Sequence, residues 1–80
     1  MSEKRALIIG IAGQDGSLLA EHLLSEGYDV YGVVRQPTSA RFENLDPIRT
    51  RVRLLQADVL DELSLVDVLS LGRPHEVYNL

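Results

Sequence analysis

The sequence contains no cysteine, so a disulfide framework is excluded and the redox compartment leaves no mark on it. It has no dense His/Cys cluster either, which removes the structural metal that often supports a small fold. Long apolar runs are also missing: Met1-Ser2-Glu3-Lys4-Arg5 leads into only a short apolar stretch before Gly10. That stretch is too short for a signal-peptide core or a membrane span, so the expectation is a cytoplasmic chain with no membrane partner. An excess of positive charge is lacking too. The formal net charge is -4, which argues against a nucleic-acid partner. Eighty residues suffice for one small domain and not for two, and so short a chain buries a modest share of its surface.

What the chain does have is a glycine-rich turn, Gly10-Ile11-Ala12-Gly13-Gln14-Asp15-Gly16. It follows the apolar run Ala6-Leu7-Ile8-Ile9 and opens onto a segment with helical spacing. Between a buried strand and a helix, such a turn lets a pyrophosphate approach the backbone. Its oxygens then meet unpaired N–H groups at the positive end of the helix dipole. The glycines are expected to divide the task. Gly10 permits the tight turn, Gly13 leaves room for the phosphates, and Gly16 lets helix and strand pack closely. Three spaced glycines alone are a weak signal, and the strand before and helix after them raise it. Asp15 is the awkward member: an acid beside a pyrophosphate is repelled unless it caps the helix or points away. It reads as structural or substrate-side rather than as a phosphate ligand.

Along the chain, Arg5 to Ile9 reads as a strand buried on both faces, apolar without alternation. Ser17 to Glu26 reads as a helix, with Leu19 and Leu23, and Ala20 and Leu24, stacked on one face and Gly27 ending it. Asp29 to Val34 is a second strand. Gln36 to Thr50 is a long connection carrying Pro37 and Pro47, with room for one helical turn near Arg41 to Leu45. Val52 to Gln56 is a third strand. Asp61 can cap a second helix, Glu62 to Leu71, whose inner face is Leu65, Val68 and Leu69. Gly72 and Pro74 stop it, and Glu76 to Leu80 begins a fourth strand.

Strands joined by helical crossovers must lie parallel. The predicted fold is therefore a Rossmann-like, doubly wound α/β sheet, its front half running β-α-β-β-α-β. The expected spatial order is 3-2-1-4, with the ligand outside the carboxyl ends of strands one and four. A complete doubly wound sheet continues past four strands. The expectation is that residues 1–80 form the N-terminal part of a dinucleotide-binding domain, with catalytic and substrate-binding parts elsewhere.

Two positions outside the turn bear on ligand choice. About twenty residues after the glycines, where a carboxylate would hydrogen-bond the ribose hydroxyls of NAD, stands Arg35, followed by Gln36. A guanidinium grips a phosphate through two hydrogen bonds and stacks on adenine, so Arg35 favours NADP. The alternative is that Arg35 merely ends an exposed strand. Asp58, after the third strand, can accept from the adenine amino group while Val59 packs on the ring; the alternative is a turn residue preceding a helix. Five of the eight basic residues (Arg35, Arg41, Arg49, Arg51, Arg53) cluster in one stretch, which suits a small phosphorylated ligand or simply a solvated surface. His22 reads as a partly exposed packing residue on the first helix and His75 as a loop residue. No catalytic set and no metal-ligand motif is present.

The segments Gly10 to Ser17, Gly32-Val33-Val34-Arg35, Ala57-Asp58-Val59-Leu60-Asp61 and Glu76-Val77-Tyr78-Asn79-Leu80 resemble the extended short-chain dehydrogenases/reductases. Within them the resemblance is to the GDP-mannose 4,6-dehydratases. The discriminating element is the Gln14-Asp15 pair, where related epimerases and dTDP-glucose dehydratases usually carry an aromatic and an aliphatic residue. Ile9 and Ala12 stand where the family usually has threonines, and Gln36-Pro37 departs from its arginine-serine continuation.

The resemblance implies tightly held NADP in contact with the Gly10–Gly16 turn, Arg35, Asp58, Val59 and Leu80. It also implies a GDP-sugar partner bound outside these residues and a homo-oligomer, in the family a homotetramer built partly by the 36–50 loop. The implied chemistry oxidises C4 of a GDP-bound hexose, eliminates water across C5 and C6, and returns hydride to C6. It needs a Tyr-x-x-x-Lys pair, a hydroxyl residue and an acid/base carboxylate, none of them in these eighty residues. Three other readings stay open: a GDP-4-keto-6-deoxymannose reductase or related epimerase, a non-catalytic dinucleotide sensor, and an interaction module using the 36–50 loop.

Overall fold

The structure, a computed structural model, describes residues 4–58, 66, 69, 70 and 73–80. Four strands form one sheet: β1 (Arg5–Ile9), β2 (Asp29–Val34), β3 (Val52–Gln56) and β4 (Glu76–Asn79). They lie in the order β3-β2-β1-β4, every neighbouring pair parallel, as the sequence predicts. The chain leaves β1 toward β2 and β3 on one side and returns to β4 on the other. The carboxyl ends of β1 and β4 therefore flank the place where the strand order reverses.

β1 is the centre of the sheet because it can be buried on both faces: Ala6, Leu7 and Ile8 are wholly inaccessible. The pleat sends Ala6 and Ile8 to one face and Leu7 to the other. On the first face they join Ile11, Ala20, Leu23, Val30, Val34, Leu45, Ile48 and Val52 in the larger core. Leu7 packs with Val33 and Ala57 in a smaller one.

Helix α1 (Gln14–Ser25) covers the first face through Ala20 and Leu23. It ends in a Schellman arrangement: Tyr28 N–H donates to the Leu23 carbonyl and Gly27 N–H to that of Leu24, both at 3.0 Å. Gly27, at φ +87°, takes the left-handed position that this ending requires. The helix starts at Gln14, three residues before the start predicted at Ser17. Its first turn is Gln14-Asp15-Gly16, which carries no apolar periodicity and contains a poor helix former, so the pattern could not reveal it.

The 36–50 connection is better ordered than a loop. Residues Glu43–Ile48 form a 3₁₀ segment, slightly later and longer than the expected turn near Arg41 to Leu45. Leu45 and Ile48 are buried in the larger core and fasten the segment there. The expected second helix lies largely outside the described residues. Of its span only Val66, Leu69 and Ser70 are described, all helical, and Leu69, expected on the inner face, is exposed. No helix among the described residues is long and apolar enough to cross a membrane.

Candidate functional site: the glycine turn at the carboxyl ends of the strands

The site starts at the last residue of β1. Gly10 turns the chain at φ +90°, a conformation that L side chains rarely adopt. A Cβ there would also sit 3.1 Å from the Leu80 carbonyl oxygen at the end of β4. Leu80 is held against the turn by its N–H, which donates to the Ile9 carbonyl at 3.0 Å. The turn is then closed by Gly13 N–H donating to the Gly10 carbonyl at 3.2 Å, and α1 begins immediately after.

Gly16 and Gly13 are glycines for different reasons. A Cβ on Gly16 would strike the Gly10 carbonyl oxygen and come within 2.8 Å of the Ile11 Cα, so Gly16 is what lets the helix lie on the turn. Gly13 has no such neighbour: a Cβ there would meet only the Gly10 oxygen, at an ordinary 3.5 Å. Its backbone, at φ -75°, is open to any residue. Neither packing nor conformation requires a glycine here. Gly13 is also the N-cap of α1, and no side chain caps the helix. The first-turn N–H groups thus have no capping side chain to accept from them, the arrangement that favours an anion.

Two depressions meet at this turn. One, of about 280 Å³, is lined by Ile9, Gly10, Ala12, Gly13, Val33, Val34, Arg35, Gln36, Asn79 and Leu80. The other, of about 300 Å³, is lined by Gly10, Gly13, Gln14, Asp15, Gly16 and Leu80. They share Gly10, Gly13 and Leu80. A ligand spanning both would lie against these three residues, Gly13 among them.

Of the residues singled out from sequence, Gly10, Ala12, Gly13, Gln14, Asp15, Gly16, Arg35 and Leu80 line this paired cavity. Ile11 does not. Its side chain is wholly buried beneath the turn, so only its backbone can face a ligand. Asp58 is exposed after β3 and lines neither depression, and Val59 lies outside the described residues. Asp15 sits in the first helical turn, where its charge complements the dipole.

The arginine cluster separates in space. Arg41 pairs with Asp46 at 2.9 Å, Arg49 donates to the Thr38 carbonyl at 2.8 Å, and Arg53 lies over the Tyr31 ring. Only Arg35 of the five lines the cavity, and no acid pairs with it among the described residues. No group of three or more potential metal ligands occurs among the described residues.

Two supporting residues escaped the sequence reading. Gly32, in the middle of β2, lies beneath Ile11: a Cβ on it would come within 2.8 Å of the Ile11 Cβ and closer still to the rest of that side chain. An isolated glycine inside a strand is the available signal for such close approach. Asn44, in the 3₁₀ segment, donates through Nδ2 to the Ala12 carbonyl at 3.0 Å. Nothing in the sequence marks that contact, since its partners are 32 positions apart.

A parallel sheet reversing at a glycine turn, with a helix rising from that turn, is the front of a Rossmann-type α/β fold. A family model described as GDP-mannose 4,6 dehydratase matches residues 7–80, and the chain belongs to that family. A GDP-mannose 4,6 dehydratase of Drosophila melanogaster is 43% identical, the match covering 98% of this chain and 22% of the relative. Among solved structures, UDP-glucose 4-epimerase with UDP-glucose from Thermotoga maritima is 30% identical with a TM-score of 0.78, over 95% of this chain and 23% of that one. The Bordetella bronchiseptica enzyme WbmH in complex with NAD+ is 27% identical with a TM-score of 0.78, over 96% and 25%. This chain thus spans about a fifth of the length of the curated relatives it matches.

Proposed function

We propose that these residues hold the nicotinamide dinucleotide of a sugar-nucleotide dehydratase that acts on GDP-mannose and uses NADP. The observation that carries the reading is Gly13, a glycine with no conformational or packing reason to be one, placed where two cavities join at an uncapped helix start. The space it leaves fits a pyrophosphate against the first turn of α1. Val33, Val34, Arg35 and Gln36 would then receive the adenosine half, and Gln14, Asp15 and Leu80 would border the nicotinamide half. Arg35, exposed at the end of β2 and paired with no acid among the described residues, is the group that would bind a 2′-phosphate.

When bound, the nicotinamide would accept a hydride from the hexose and return it within the same turnover. The residues described here bind and orient; proton transfers would fall to groups elsewhere in the whole protein. Family membership favours dehydration of GDP-mannose over the related reductase and epimerase reactions. Incubating the whole protein with GDP-mannose and catalytic NADP should yield GDP-4-dehydro-6-deoxymannose without net cofactor reduction. A reductase would leave GDP-mannose untouched. A non-catalytic dinucleotide sensor would bind NADP and turn over nothing. The reading also implies a homo-oligomer, which sedimentation of the whole protein would reveal.

A further inference from the structure

We infer that Asn44 is a positioning residue for the dinucleotide site, acting through the Ala12–Gly13 peptide; the inference rests on the proposed function. In a trans peptide the carbonyl and the following N–H point in opposite directions. Here both ends are held. Gly13 N–H donates to the Gly10 carbonyl at 3.2 Å, and the Ala12 carbonyl accepts from Asn44 Nδ2 at 3.0 Å.

The consequence is electrostatic. A pyrophosphate beside Gly13 needs N–H groups in front of it and no carbonyl oxygen, whose partial negative charge repels it. Ala12 and Gly13 both line the first depression, so rotation of the Ala12–Gly13 peptide would swing its carbonyl across the surface that the ligand meets. Glycine at position 13 makes such rotation easy, because it imposes little steric resistance. The second hydrogen bond opposes it.

Asn44 is itself well placed to do this. Its neighbour Leu45 is wholly buried, Ile48 nearly so, and Leu45 N–H donates to the Phe42 carbonyl at 2.9 Å. The 3₁₀ segment is therefore anchored whether or not Asn44 makes its bond, so the backbone that presents its side chain is already in place. The segment contributes no lining residue of its own to either depression. It shares the larger core with Ile11, and Asn44 adds its hydrogen bond to the turn.

The test compares wild-type whole protein with Asn44→Ala and Asn44→Gln in titrations of NADP, NAD and adenosine 2′-monophosphate, with ligand-free melting temperature measured alongside. Asn44→Ala should weaken NADP and NAD equally, by about fivefold to tenfold, the scale of one hydrogen bond. Adenosine 2′-monophosphate, which has no pyrophosphate, should bind wild type and variant alike, and Asn44→Gln should recover part of the loss. Unchanged dinucleotide affinity in Asn44→Ala overturns the inference. So does equal weakening of all three ligands together with a lower melting temperature, which would mark general loosening. Failure of wild type to bind either dinucleotide would instead defeat the functional reading beneath it.

Discussion

Gly13, Gly16 and Arg35 carry the site at the scale of single residues, and each can be tested separately. Gly16→Ala places a Cβ against the Gly10 carbonyl and Ile11 Cα, atoms of a backbone that cannot swing aside. The variant should lose about 1–3 kcal/mol of stability by overpacking, seen as a lower melting temperature before any ligand is added. Gly13→Ala should leave that melting temperature unchanged, since its Cβ meets only ordinary contact. Arg35→Ala should weaken NADP by about tenfold or more through loss of a charge-assisted contact, and NAD hardly at all. Equal losses for both cofactors would show that Arg35 does not read the 2′-phosphate. The three glycine positions and Arg35 were legible because spacing after a strand carries them. Ile11 was not distinguished from its neighbours, because a turn residue that plunges into the core looks the same in sequence as one that faces a ligand.

Among the elements, β2 and β4 make specific demands on their sequence. Gly32 gives Ile11 its place on the sheet, so Gly32→Ala should cost stability on the overpacking scale of about 1–3 kcal/mol and disturb the turn above it. A melting temperature equal to wild type would contradict this. At the opposite, amino-terminal end of the sheet, Glu76 lies between two tyrosines. The hydrogen bond from Tyr28, then that from Tyr78 (3.1 Å to Oε1), holds its carboxyl below the usual carboxylate range. Chiefly through the same bond, Tyr28 is pushed up to about 12.

The two shifts act in opposite pH directions. The Glu76 contribution is present above the unfolded carboxylate value and is lost as pH falls through its lowered folded value. The Tyr28 contribution is full below its ordinary value of 10.0 and is lost as pH rises toward about 12. In Glu76→Gln the acid-side loss should shrink, and tyrosine ionisation followed by absorbance should move back toward the ordinary value. An unchanged tyrosine titration would contradict the contact. Short apolar runs exposed the strands, and periodicity exposed the body of α1. It missed the helix start because Gln14-Asp15-Gly16 has no apolar side chain to repeat, and it placed the 3₁₀ segment early because Leu45 and Ile48 are too few to establish a period.

At the scale of the whole molecule, the strand order followed from connectivity alone, because helical crossovers and a fixed hand leave few arrangements. The joining of two depressions over Gly13 did not: it depends on how closely β4 approaches the turn, and Leu80 reaches Gly10 only through tertiary packing. Among the described residues β4 pairs with β1 alone, and Val77 in it and Leu80 after it are half exposed, 50% and 59%. The eighty residues taken by themselves should therefore self-associate through that edge rather than melt cooperatively as a monomer. A sharp transition for a monomeric preparation would count against this. The central claim is that the Gly10–Gly16 turn receives a pyrophosphate, and the most direct measurement is calorimetric titration of the whole protein and its Gly13→Val variant with NADP. The account predicts tight binding by wild type and none detectable by Gly13→Val at a melting temperature close to wild type. Normal NADP binding by Gly13→Val would contradict it.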